Sequence, residues 1–69
     1  MIVAFDVPER KRSQRDWLRA ELKILGFIQL QKSVWFGPAP LPKTFILAVR
    51  DIHLLQYIKF YRANEYEVA

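Results

Sequence analysis

The run Ile2, Val3, Ala4, Phe5 is apolar and leads to one carboxylate, Asp6, before Val7 and Pro8. A carboxylate in that place has two chemical readings. It is a ligand for magnesium or manganese, or it is a strand-end acceptor for backbone N–H groups where the next helix starts. If buried and unpaired it would cost several kcal/mol, so its role is the first question the chain poses. Magnesium usually takes one or two carboxylates plus water and substrate phosphate. One Asp6 per chain is a thin set, and two copies across a two-fold axis are the minimum. The chemistry would then be attack of a metal-activated water on a phosphodiester.

A second group is cationic. Arg12, Arg15, Arg19 and Lys23 recur at three- and four-residue steps, which places them on one side of a helix. Such a ridge binds phosphates with release of counterions, or is an ordinary solvated face. Arg10 and Lys11 extend the positive charge towards Asp6, and Lys32 adds another cation further along. Trp35 and Phe36 either stack on bases or pack in a core or interface. His53 reads as a turn residue and supplies no placed base. No glycine-rich phosphate loop, paired nuclease carboxylates or catalytic triad is visible.

The elements that must position these groups follow from periodicity. Residues 2–7 read as a strand with Ile2, Ala4 and Asp6 on one face and Val3, Phe5 and Val7 on the other. Apolar residues on both faces imply a central strand covered on both sides. Pro8 suits a helix start, and Glu9 favours its positive end. Residues 9–25 read as a helix with Leu18, Leu22 and Leu25 on its apolar stripe, widened by Trp17 and Ile24. Glu21 falls within that arc and is expected to be paired. Gly26 is a natural C-terminal cap. Residues 27–36 read as extended. Lys32 and Ser33 lack the signature of a tight hairpin, so a bent strand or two short strands with a bulge is expected. Gly37, Pro38, Ala39, Pro40, Leu41 and Pro42 form a stiff loop. A second helix over 42–52 carries Leu41, Phe45, Ala48 and Ile52, with Val49 beside them. Residues 55–62 read as a strand, with Tyr57 and Tyr61 opposite Ile58 and Phe60. The tail 64–68 alternates and is expected to pair as a further edge strand.

Composition bounds the class. With 69 residues the chain is read as one domain, and one core at this size rarely supplies more than about 3–5 kcal/mol. There is no cysteine and only one histidine. That excludes disulfides, thiolate sites and a zinc site built on several imidazoles. Oligomerisation is the remaining staple, and 52% hydrophobic residues favour a dimer that hides apolar surface. The net charge of +4 and pI of 9.8 suit a polyanionic partner. No run is long enough to span a membrane, the first residues form no signal peptide, and a cytoplasmic location is expected.

The resulting order is strand, helix, two short strands, helix, strand. This is the α+β ferredoxin-like pattern, βαββαβ, an antiparallel sheet with two helices on one face. The strands carry apolar residues on the other face as well. Two such sheets packed face to face would bury it, giving a two-fold homodimer with the helices outside.

Several segments carry a resemblance. Val3, Ala4, Phe5, Asp6, Val7, Pro8, Glu9 at the first strand, Arg15, Asp16, Trp17, Leu18, Arg19 in the helix, Leu25, Gly26, Phe27 at its end, and Leu30, Gln31, Lys32, Ser33, Val34, Trp35 resemble the CRISPR-associated Cas-two endoribonuclease family. They are closer still to its branch shared with the middle domain of PaaX-type transcriptional repressors. The resemblance spans nearly the whole chain and implies a ferredoxin-like homodimer. It implies either a metal-dependent endonuclease on RNA or DNA in antiviral defence, or the structural centre of a spacer-integration complex with an integrase subunit. The alternative it implies is a regulator's dimerisation domain without catalysis. By motif, Asp6 would be the catalytic residue and the magnesium or manganese ligand. Phe5, Ser33 and Trp35 would be accessory, and Arg12, Arg15, Arg19, Lys23 and Lys32 would contact nucleic acid. Phe5 stands where the nucleases usually carry tyrosine, which removes a phenolic hydroxyl. Pro8, Glu9 and Trp35 lean towards the repressor branch. Those repressors carry an N-terminal winged helix for which these residues leave no room, and the C-terminal strand is short; both leave open a fragment of something longer.

Overall fold

A computed structural model describes residues 1–62; the tail expected to form an edge strand lies outside the described residues. Four strands and two helices form one sheet and one core: β1 (Ile2–Phe5), α1 (Arg12–Ile24), β2 (Ile28–Gln31), β3 (Val34–Phe36), α2 (Lys43–Asp51) and β4 (Ile58–Tyr61). The strand order is β2, β3, β1, β4, and every neighbouring pair is antiparallel. This is the ferredoxin-like topology that the element order implied.

β1 is central, as its apolar character required, with β3 on one side and β4 on the other. Cross-strand partners share a face. Val3 therefore lies beside Trp35 and Phe60, and Phe5 beside Ile58. This is the helix-covered face: Val3, Phe5, Trp35 and Ile58 join Leu18 and Leu22 of α1 and Phe45 and Val49 of α2 in one buried cluster. The rings of Trp17 and Phe45 stack 6.2 Å apart, coupling the two helices.

Among the described residues the expected cover is present on one face of β1 only. The register sets Ile28, Phe36, Ile2 and Tyr61 side by side across all four strands on the face opposite the helices. Ile28 and Tyr61 are exposed, and Phe36 and Ile2 are half-buried. The next row, Gln31, Val34, Ala4 and Lys59, is more polar. The uncovered face is thus apolar at one end and mixed at the other.

Both helices end in the same way. The Gly26 N–H donates to the Lys23 carbonyl and the Phe27 N–H to the Leu22 carbonyl, with Gly26 at φ 90°. The His53 N–H donates to the Arg50 carbonyl and the Leu54 N–H to the Val49 carbonyl, with His53 at φ 61°. Each is a Schellman termination whose last turn feeds an apolar residue into the core. β2 and β3 are the expected short strands, with an irregular register between Gln29 and Gln31. The Gln29 Nε2 donates to the Lys32 carbonyl at 3.0 Å and pins the turn between them.

Four expectations are corrected. The first helical stretch begins as a 3-10 turn over Glu9–Lys11 before α1, so it is not one continuous helix. Ile24 does not widen the apolar stripe; it is 76% exposed. Glu21 is half-buried and forms no ion pair among the described residues. Leu55–Tyr57 form a 3-10 turn, closed by the Tyr57 N–H on the Leu54 carbonyl, and the last strand starts only at Ile58. Among the described residues no helix is long and apolar enough to cross a membrane.

Candidate functional site

The C-terminal end of β1 is tied to both neighbours by its backbone. The Phe5 N–H donates to the Ser33 carbonyl and the Asp6 N–H to the Tyr57 carbonyl, each at 3.0 Å. These bonds continue the ladder past the strand and hold Asp6 between the turn at 32–33 and the 3-10 turn before β4. Phe5 turns inward to the core and Asp6 outward, as strand alternation demands.

Asp6 is exposed, not buried. The energetic question raised by its sequence position therefore dissolves: a hydrated carboxylate needs no protein partner. The strand-end acceptor reading of it is not realised. Among the described residues its side chain accepts no hydrogen bond and forms no ion pair, with Arg10 and Lys11 included.

Two concavities meet at this residue. The larger, about 490 Å³, takes polar groups from Asp6, Ser33, Gln56, Tyr57 and Lys59. The hydroxyl of Tyr57, one of its lining residues, accepts a hydrogen bond from the Arg10 Nη2 at 3.3 Å. The smaller, about 240 Å³, lies on the α1 side, where Asp6 and Ser33 meet Arg15, Arg19 and Lys32. Phe5 lines both.

The predicted residues separate into three groups. Asp6, Phe5, Ser33, Arg15, Arg19 and Lys32 converge on the strand end. Arg12 and Lys23 are exposed on α1 and line neither concavity, so the four-residue basic ridge is divided. Trp35 is in the core at 1% exposure and is not accessory to the site. Alternation explains this last case: Trp35 pairs with Val3, and its neighbours Val34 and Phe36 take the other face. Gln56, Tyr57 and Lys59 were not singled out as site residues. Tyr57 was read as a strand position, and only the 3-10 turn brings it to Asp6.

The donor set can be compared with the needs of magnesium. Among the described residues Asp6 is the single carboxylate lining either concavity. Glu9 is engaged by Arg15 at 3.1 Å and by Arg12 at 3.9 Å. Among the described residues no group of three or more histidine, cysteine or acidic side chains is placed to hold a metal. One carboxylate beside several cations does not fit a dedicated magnesium or manganese site within one chain.

Connectivity, strand order and one-sided helix packing define a ferredoxin-like domain with a polar cleft at the end of its central strand. The family model of the PaaX protein central Cas2-like domain matches residues 1–69, and the chain belongs to that family. The match falls on the branch of the resemblance that PaaX-type regulators share with the Cas2-like fold. No curated protein and no solved structure matched the chain.

Proposed function

We propose that the chain is the dimerisation core of a PaaX-type transcriptional regulator, without phosphodiesterase activity of its own. The carrying observation is the uncovered apolar row of Ile28, Phe36, Ile2 and Tyr61. Burying it against a second copy removes apolar surface from water at about 25 cal/mol per Å². The domain measures 36 × 24 × 20 Å, so one sheet face is of the order of the roughly 800 Å² per partner of a standard interface. A two-fold stacking of sheets puts the same row on both sides and leaves the helices outside. Family membership over the full match supports the regulator class.

The expected result is a dimer at micromolar concentration by light scattering. Ile28→Asp with Tyr61→Asp, two exposed positions, should give a folded monomer with unchanged circular dichroism. A wild-type monomer, or a double variant that still dimerises, defeats the reading.

A nuclease reading rests on Asp6 alone and needs a second carboxylate from a partner copy. Its test is cleavage of RNA and DNA with magnesium or manganese. Wild-type cleavage that is lost in Asp6→Ala while the dimer persists would overturn the absence of phosphodiesterase activity and leave the dimer standing. The expected outcome is no metal-dependent cleavage above background in either protein. Nucleic-acid binding by the cations of α1 and Lys32 is a separate property. It would show as a steep fall of duplex affinity with salt.

A further inference from the structure

The smaller concavity differs from an ordinary basic surface. Arg15 and Arg19 are drawn in, with side chains 21% and 30% exposed, whereas Arg12 is 70% exposed. The Nε atoms of both Arg15 and Arg19 are buried and have no acceptor among the described residues. Buried charged donors require acceptors, and Asp6, the one carboxylate among the described residues that line the cleft, does not serve them. Among the described residues Asp6 forms no ion pair. Arg15 gives one terminal nitrogen to Glu9 at 3.1 Å, and Arg19 reaches Asp16 only at 3.9 Å. Lys32 forms no ion pair among the described residues, and Ser33 supplies a hydroxyl on the same wall. Among the described residues, three cations therefore share about 240 Å³ with one carboxylate. That volume matches one tetrahedral anion with a few waters.

We infer that this cleft, bounded by Arg15, Arg19, Lys32 and Ser33, is a seat for a single phosphate group. Arg19 presents the least compensated guanidinium, suited to charge-assisted bonds to phosphate oxygens. Lys32 adds a point charge from the turn, and Ser33 a neutral donor. Asp6 borders the seat and opposes a dianion, so it weakens binding and does not create it. Every component belongs to one chain, and the inference stands whether or not the sheets dimerise. The phosphate has two possible sources, a phosphorylated small molecule or the phosphorylated end of a nucleic-acid strand.

The test is a titration with inorganic phosphate at constant ionic strength, followed by amide NMR shifts. Saturable changes should centre on Phe5, Asp6, Val7 and Ser33. Arg19→Gln and Lys32→Gln should each weaken binding about ten-fold, the loss of one charge-assisted interaction. Asp6→Asn should tighten it. Arg50→Gln, an exposed control already paired with Asp51, should leave it unchanged. Circular dichroism verifies that each variant is folded. A nucleoside 5′-monophosphate and a short single strand with and without a 5′-phosphate form the second arm. Equal binding of the monophosphate and the phosphorylated strand assigns a small ligand; tight binding of the phosphorylated strand alone assigns a strand end. A response that does not saturate, that survives both Arg19→Gln and Lys32→Gln, or that Arg50→Gln removes equally overturns the seat.

Discussion

At the scale of single residues, backbone geometry and close approach decide more than side-chain chemistry. His53 ends α2 in the left-handed region at φ 61°, where a non-glycine residue costs about 1–2 kcal/mol. Glycine removes that strain but adds unfolded-state entropy of roughly 0.5–1 kcal/mol. His53→Gly is therefore expected to stabilise the domain by about 0.5–1 kcal/mol in urea denaturation; a loss of stability would show that the imidazole contributes in the native state. Gly37 is constrained from outside. A Cβ there would stand 2.3 Å from the buried Phe27 ring. Gly37→Ala must displace a core side chain and should cost roughly 1–3 kcal/mol, read as a lower denaturation midpoint. The importance of Asp6 as a position was legible from its place after an apolar strand. Its exposure was not, because alternation gives a face and not whether anything covers that face.

At the scale of elements, periodicity was informative and its failures have geometric causes. Leu18 and Leu22 are fully buried, as the i, i+4 spacing required. Leu22→Ala should cost about 2–5 kcal/mol by chemical denaturation. Ile24 was placed on the stripe by its neighbours in sequence, yet it lies about 200° around the helix from Leu22. Ile24→Lys is accordingly expected to change stability by no more than about 0.5 kcal/mol. Helix starts were less legible than helix ends. Gly26 announces its cap by residue type, whereas nothing in Glu9, Arg10 and Lys11 distinguishes a 3-10 turn from the first turn of α1. The 3-10 turn at Leu55–Tyr57 was missed because Leu55, Gln56 and Tyr57 fit strand alternation equally well. That turn moves Tyr57 from a sheet face to the cleft beside Asp6.

At the scale of the whole molecule, the sheet keeps one face that no described element covers. The apolar row across four strands is the feature that a partner copy would bury. The loss of dimer expected for Ile28→Asp with Tyr61→Asp belongs to this scale, since each side chain is exposed within one chain and matters only if two chains meet. The chain's excess of cations also acquires a pattern only here. Arg12 and Lys23 remain solvated, whereas Arg15 and Arg19 meet Lys32 across the sheet end.

Alternating apolar residues, two amphipathic segments and a capping glycine were enough, in the linear chain, to specify the ferredoxin-like order of elements, the central place of β1 and most of the core. These are local properties, encoded in spacing and residue type. Which face lacks cover, which arginines fold inwards and which turn delivers Tyr57 to Asp6 were decided by tertiary structure. Those outcomes depend on register between strands far apart in sequence, and no short-range pattern contains that register.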